Sequence, residues 1–122
     1  MSDNTNGVPV PGAPKKFDIW LATLPENGQV IHGTRPVVII SNEMANQHSN
    51  VLTVVPLTSK GVKWLPTHVS FKMKDLRRST AKCENILSIE KNSLIRKYTT
   101  IDDLDVQKQL MTAVKVQIGA DA

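Results

Sequence analysis

The chain has 122 residues, a net charge of +4 and one cysteine, which is enough for a single domain with a modest core. No apolar run approaches the ~20 residues that a membrane-spanning helix needs. The first residues also lack a basic stretch followed by an apolar one, so we expect no membrane span and no secretory signal. Because the lone Cys83 cannot form an intramolecular disulfide, we expect a soluble protein of the reducing cytoplasm.

The positive charge is concentrated in the middle of the chain. Residues 1–59 carry a net charge of −1, residues 60–97 carry +7 and residues 98–122 carry −2. A concentrated basic region predicts a polyanionic partner, either nucleic acid or an acidic polypeptide. The alternative is a solvated surface whose lysines only maintain solubility.

The composition divides the chain into an arm and a domain. Residues 1–16 are rich in Pro, Gly and Asn and have no apolar periodicity, which predicts a flexible N-terminal arm. Residues 17–122 are expected to form the folded domain. We find no internal repeat.

The domain begins with patterns typical of β-strands. We expect strands at 17–22, 37–40, 51–57, 67–72, 83–89 and 98–101, a turn at 25–28 opening a loop that runs to residue 34, and helical turns within 42–48 and at 93–95. The run Val37–Ile40 is apolar at every position, as in a strand buried on both faces.

The pattern becomes helical at the end of the chain. We expect a helix that Asp102 or Asp103 caps at its start and Gly119 caps at its end. Its buried stripe should contain Leu104, Gln107, Leu110, Met111, Val114 and Ile118. Short strands closed by one helix predict a mainly β (α+β) fold with a small, strongly curved sheet or barrel.

Two polar side chains stand at the ends of apolar runs, at positions where a buried strand rarely contains a polar residue. Arg35 stands two residues before the run 37–40, and Thr58 follows the run that ends at Leu57. A guanidinium and a hydroxyl at the ends of neighbouring strands can bind and polarise a phosphate. The alternatives are an arginine paired with a nearby carboxylate and a threonine that caps its own turn.

Together these motifs resemble the MazF/PemK (Kid-like) family of toxin endoribonucleases. The resemblance is carried by DIWL in the first strand, by RPVVIISN, by the PLTS corner, by the LPTHV strand and by the closing helix. It implies the fold shared with the CcdB gyrase poison, a small, strongly curved antiparallel sheet or SH3-like barrel with a C-terminal helix. It also implies a homodimeric toxin of a type II toxin–antitoxin pair, which cuts single-stranded RNA at specific sequences without a metal and leaves a 2′,3′-cyclic phosphate and a 5′-hydroxyl.

The resemblance implies further partners and a catalytic pair. The partners are single-stranded RNA, an acidic antitoxin whose disordered tail fills the RNA groove, and operator DNA through the antitoxin complex. Family members use an arginine and a threonine at the motif positions of Arg35 and Thr58. Arg35 would stabilise charge on the phosphorane, since its pKa is too high for a general base. Thr58 would hold a phosphate oxygen or the 2′-hydroxyl in line.

Contacts with the RNA substrate are expected from His32, Thr34, Ser59, Lys60, Trp64 and Asn85. In the family the loop that contains His32 borders the RNA groove. Trp64 lies in an exposed-looking loop and can stack on an unpaired base. Asn85 stands at the position where the family usually has the longer Gln. The neighbouring Glu84 is explained equally well by a structural role and by a contact with the RNA.

The remaining candidates have simpler explanations. We expect His48 at the surface, His68 in packing or a hydrogen bond rather than catalysis, and Cys83 as a small buried apolar group. Trp20 is expected in the core or in a dimer interface. No HxH, HExxH or CxxC spacing is present, so we expect neither a metal nor another cofactor.

Two functions of other classes stay open. One is a CcdB-like poison that binds a protein target such as gyrase and cleaves nothing. The other is a catalytically weak module that binds RNA or the antitoxin. Arg35 and Thr58 argue against both, because pure binding does not need them at these positions.

Overall fold

A computed structural model of the chain describes residues 12–25, 33–75 and 77–120. Most of the predicted arm, most of the predicted loop after Pro25, and His32 lie outside these ranges. None of the described helices is long and apolar enough to cross a membrane.

Seven strands in antiparallel pairs and two α-helices make up the described chain. In order they are β1 (Asp18–Leu24), β2 (Gly33–Ile39), α1 (Glu43–His48), β3 (Val51–Thr58), β4 (His68–Lys72), β5 (Arg78–Lys82), β6 (Leu87–Glu90), β7 (Leu94–Thr100) and α2 (Leu104–Ile118). The strand order is β4-β5-β3-β2-β1-β7, and β6 pairs with the first half of β3. The predicted class, mainly β with a closing helix, is confirmed.

The sheet curves until its two outer parts meet. The β4–β5 hairpin and β7 stand at opposite ends of the strand order. Nevertheless the Tyr98 hydroxyl of β7 donates a 2.8 Å hydrogen bond to Asp75 Oδ2 of the hairpin. Nearby, Lys74 Nζ lies 2.9 Å from Asp102 Oδ2. The strong curvature expected from short strands is therefore present.

Strands β2 and β3 form the centre of the sheet and are buried on both faces. On one face Val38 packs in a cluster that includes Leu110 of α2. On the other face Val37 and Ile39 pack in a second cluster with Leu52 of β3. Because successive side chains of a strand point to opposite faces, two cores explain the uninterrupted apolar run. The prediction of a doubly buried strand is confirmed.

One predicted strand is wrong in its first part, and the pairing of the sheet explains the error. Of the expected strand at 83–89, the beginning is a 3₁₀ turn, Cys83–Asn85, that follows β5, and only residues 87–89 lie in β6. β5 pairs with the end of β3 through Ala81 opposite Leu57, whereas β6 pairs with its beginning. The chain must therefore cross from one part of β3 to another, and the turn makes that crossing.

The boundaries of other elements also differ from the predicted ones, because pairing with a neighbouring strand lengthens them. β2 begins at Gly33 rather than at 37, because its first half pairs with β1, with Ala22 opposite Arg35. β7 begins at Leu94 rather than at 98, since it also pairs with β1. The helical turn expected at 93–95 is a 3₁₀ turn at Lys91–Ser93. The helical turn expected within 42–48 is confirmed as α1.

The closing helix α2 has the predicted ends but a shorter buried stripe. Asp103 caps its start by accepting a 2.9 Å hydrogen bond from the Asp105 N–H, and Gly119 follows its end at a left-handed φ of 73°. Leu110 is buried, yet Leu104 and Ile118 are 69% and 61% exposed. The predicted stripe is wrong at both ends, because only the middle of the helix is buried.

Candidate active site

The register of the central strands brings Arg35 and Thr58 to the same end of the β2–β3 pair. In the β2–β3 pair, Val37 lies opposite Pro56 and Val38 opposite Val55. The paired stretch ends at Val37 and Pro56, and Arg35 and Thr58 each lie two residues beyond it on their own strands. Arg35 therefore lies within β2 rather than before a strand, and both side chains line one cleft at the end of the β2–β3 pair.

A cleft of about 220 Å³ opens at this point. Four of the predicted site residues line it: Arg35, Thr58, Ser59 and Lys60. The Thr58 Oγ1 accepts a 3.2 Å hydrogen bond from the Lys60 N–H, so the hydroxyl also stabilises its own turn. Both interpretations of this threonine, a turn cap and a cleft residue, are thus compatible.

The cleft also contains residues that the sequence analysis did not select. Arg77, which precedes β5, and Tyr98 of β7 line its wall, with Met73 and Ser79 beside them. The Asp75–Arg77 spacing is a sequence signal for a local ion pair. Nothing in the sequence indicates that Tyr98, which is far along the chain, joins that pair.

Asp75, Arg77 and Tyr98 form a hydrogen-bonded cluster at the cleft. Arg77 Nε and Nη2 lie 3.1 and 3.0 Å from Asp75 Oδ2, and Nη2 also donates to the Tyr98 hydroxyl. The N–H of Arg77 and the Tyr98 hydroxyl hold the pKa of Asp75 below its ordinary value. The hydrogen bond and charge of Asp75 in turn raise the pKa of Arg77.

The other predicted contact residues lie outside the lining of this cleft. Thr34 is exposed on β2, Trp64 is 75% exposed, and Asn85 is half-buried in the 3₁₀ turn rather than on a strand. His32 lies outside the part of the chain that the structure describes. Their roles toward RNA therefore stay predictions. The exposure of Trp64 is compatible with stacking on an unpaired base.

His68 and Glu84 tie the Trp64 loop to the turn that contains Asn85. His68 Nδ1 lies 2.7 Å from the Lys63 carbonyl oxygen, which only accepts, and Nε2 lies 2.7 Å from Glu84 Oε2. Burial opposes the ionisation of Glu84, but hydrogen bonds, first of all from His68, outweigh it and lower the pKa of the carboxyl. His68 is thus held in hydrogen bonds, as predicted.

The remaining predictions concern groups without a catalytic geometry. Cys83 is fully buried, and this burial raises the pKa of its thiol to about 12, so it is an inert buried group as predicted. His48 is exposed at the end of α1, also as predicted. Trp20 is partly buried against the second core cluster. Within the described ranges, no three His, Cys, Asp or Glu side chains are grouped as metal ligands would be.

Comparison with known proteins identifies the family. The sequence pattern of the family described as PemK-like, MazF-like toxin of type II toxin–antitoxin system matches residues 15–118. The chain belongs to this family. The resemblance seen in the sequence motifs is therefore confirmed, and the protein is a MazF-like toxin of a toxin–antitoxin system.

Individual relatives agree with this assignment. An endoribonuclease MazF from Staphylococcus saprophyticus is 34% identical over 110 residues, which cover 86% of this chain and 91% of the relative. The structure of MazF from Deinococcus radiodurans matches with a TM-score of 0.74 at 19% identity, covering 88% of this chain and 97% of that one. A mycobacterial endoribonuclease in complex with its cognate antitoxin matches with a TM-score of 0.71 at 21% identity, covering 88% and 96%.

These matches also decide between the functions left open. The structural likeness shows the MazF fold, and the curated relative is an endoribonuclease rather than a gyrase poison. The function supported for this MazF-like chain is that of an endoribonuclease toxin. Neither a CcdB-like poison that binds a protein target nor a catalytically weak module that binds RNA or the antitoxin is favoured.

Proposed function

We propose that this MazF-like toxin cleaves single-stranded RNA at the Arg35–Thr58 cleft by metal-independent transesterification. The observation that carries the proposal is that Arg35 and Thr58 line one cleft at the end of the β2–β3 pair. The 2′-hydroxyl of the RNA attacks the adjacent phosphorus and gives up its proton, while the P–O5′ bond breaks and the 5′-oxygen takes up a proton. The products are a 2′,3′-cyclic phosphate and a 5′-hydroxyl.

Each side chain of the pair has a distinct part in this reaction. The Arg35 guanidinium binds two non-bridging oxygens and stabilises the charge that develops on the phosphorane. It also donates a hydrogen bond to the leaving oxygen. The Thr58 hydroxyl holds a phosphate oxygen or the 2′-hydroxyl in line. Ser59 and Lys60, which share the cleft, bind the same strand, with Lys60 as a point charge on a phosphate.

The substrate also extends to residues outside the cleft. We propose that Trp64 stacks on an unpaired base, that Asn85 reads a base edge, and that His32 and Thr34 contact the strand near the start of β2. Exposed aromatic rings suit single strands because every base has a π-face. Such contacts give the enzyme its sequence preference.

The family and the charge distribution support a proposal about the oligomeric state of the toxin and its inhibition. We propose a cytoplasmic homodimer that an acidic antitoxin silences by occupying the RNA groove, and that reaches operator DNA through the antitoxin complex. The net charge of +7 in residues 60–97 supports a shared surface for both polyanions, since an acidic peptide mimics a phosphate chain.

Cleavage of a long RNA in the presence of EDTA tests the proposal. We expect undiminished cleavage, and we expect a substrate with 2′-deoxyribose at the scissile position to stay intact, because the nucleophile is then missing. The matched control carries 2′-deoxyribose one nucleotide away and should be cut. Loss of activity in EDTA that a divalent ion restores, or cutting of the 2′-deoxy substrate, would refute the mechanism. Mapping the cut sites also gives the recognition sequence.

A further inference from the structure

The cleft contains a second guanidinium that the reaction described above does not use. The Arg77 side chain lines the same cleft as Arg35 and is 68% exposed. Arg35 lies on β2 and Arg77 just before β5, and these strands pair with opposite edges of β3. The two arginines therefore approach the cleft from its two sides.

The guanidinium of Arg77 is held by its neighbours rather than being free to move. Its Nε and Nη2 atoms donate to Asp75 Oδ2, and Nη2 also donates to the Tyr98 hydroxyl. In the described part of the chain, no residue accepts a hydrogen bond from Nη1. One edge of the planar group is thus fixed, while the side chain as a whole is 68% exposed.

The ligand that such a group recognises is a phosphate. A guanidinium edge matches two phosphate oxygens, and holding it in place beforehand lowers the entropy lost on binding. Asp75 does not oppose an incoming phosphate strongly, because its Oδ2 already accepts from Arg77 and from Tyr98. Arg77 lines the same cleft of about 220 Å³ as Arg35 and Thr58, so a strand whose scissile phosphate lies at that pair passes close to Arg77.

We propose that Arg77 binds an RNA phosphate that neighbours the scissile one, and that Asp75 and Tyr98 are positioning residues that hold its guanidinium. This inference rests on the proposed function, since the scissile phosphate must lie at Arg35 and Thr58. The site thereby fixes the strand at two consecutive phosphates. Such a contact persists from bound substrate to transition state and so contributes to binding rather than to the chemical step.

The first test compares Arg77→Gln with Arg78→Gln on an oligoribonucleotide that contains one mapped cut site. Arg78 is the matched control, because it is adjacent, exposed and absent from the cleft lining. Arg77→Gln should raise KM about tenfold with kcat little changed. It should also reduce the slope of log affinity against log salt by about 0.7, the value for one phosphate of a single strand. Equal changes in both variants, or a loss confined to kcat, would overturn the proposal.

The second test removes the charge of one phosphate at a time. A methylphosphonate placed next to the scissile phosphate should raise the KM of the wild type about tenfold at one position, and should add nothing in Arg77→Gln. Tyr98→Phe alone should raise KM, whereas adding Tyr98→Phe to Arg77→Gln should leave KM unchanged. Additive losses in these pairs would refute a direct contact. Melting temperatures, which we expect to be unchanged for Arg77→Gln, identify a loss caused by misfolding.

Failure of the underlying function has a different signature. If the wild type left RNA intact, or if Arg35→Ala cut at the wild-type rate, the proposed function would be wrong, and this inference with it. If Arg35→Ala is inactive while Arg77→Gln retains the wild-type KM, only the role of Arg77 is wrong.

Discussion

At the scale of single residues, the proposed site depends on two polar side chains at the ends of apolar strands. Arg35 and Thr58 lie where the apolar strands β2 and β3 diverge. Both side chains are only partly exposed, so the hydrogen bonds that they offer are stronger than they would be in open water. This environment suits a group that must stabilise charge developing in a transition state.

Substitution of either side chain should abolish catalysis without unfolding the protein. We expect Arg35→Gln and Thr58→Ala each to lower kcat by ~10²–10³, because each removes a donor that acts in the transition state. Thr58→Ser keeps the hydroxyl and should retain most of the activity. Single-turnover cleavage and thermal melting measure the two effects separately. Variants that melt as the wild type does and cleave at its rate would show that the site lies elsewhere.

At the scale of elements, one buried carboxylate joins the first strand to the last. Asp18 of β1 is only 1% exposed. It accepts hydrogen bonds from the Thr100 hydroxyl at 2.8 Å, from the Lys15 N–H at 2.9 Å and from Trp20 Nε1 at 3.2 Å. Lys97 Nζ lies 3.6 Å away. β7, which contains the cleft residue Tyr98, is therefore held to β1 by a group that water cannot replace.

Loss of this carboxylate should destabilise the fold strongly. We expect Asp18→Ala to lower the free energy of unfolding by about 3 kcal/mol, because it leaves buried donors and a cation without their partner. The control is Asp102→Ala, which removes the exposed Lys74–Asp102 pair and should cost about 1 kcal/mol or less. Urea unfolding followed by circular dichroism measures both. Equal losses for the two variants would contradict this account.

At the scale of the whole molecule, we expect the charge distribution to govern the encounter with the proposed polyanionic ligands. The basic residues 60–97 include the β4–β5 hairpin and the loop after the Thr58 corner. Screening limits the reach of such charges to ~10 Å at 0.1 M salt. The charge therefore accelerates association at low salt, whereas the contacts in the cleft determine how long the complex persists.

Removal of two lysines from this region should weaken both proposed ligands together. We expect Lys60→Ala with Lys63→Ala to slow association with RNA and with an acidic antitoxin peptide, and to reduce the salt dependence of both. The matched control, Lys108→Ala with Lys115→Ala on α2, changes the net charge equally and should have a smaller effect. Stopped-flow binding at several salt concentrations measures the rates. A ternary complex of toxin, antitoxin and RNA with undiminished affinities would show that the two sites are separate.

The fold was predictable where short-range physics determines it. The run 37–40 is apolar at every position and predicts a strand that is buried on both faces. Asp103 and Gly119 mark the ends of α2, because capping acts within a few residues. The split between β5 and β6 was not predictable in this way. Local patterning permits a strand at 83–89, and only the pairing with two different parts of β3 explains the turn at Cys83–Asn85.

The candidate site was likewise predictable only in part. The sequence by itself determined the family and the Arg35 and Thr58 positions, because their motifs are contiguous and their chemistry follows from residue type. Only the tertiary structure decided that Arg77 and Tyr98 share the cleft. Their contact joins opposite ends of the sheet, and its existence depends on the curvature of the whole sheet, which is set by long-range packing rather than by local propensity.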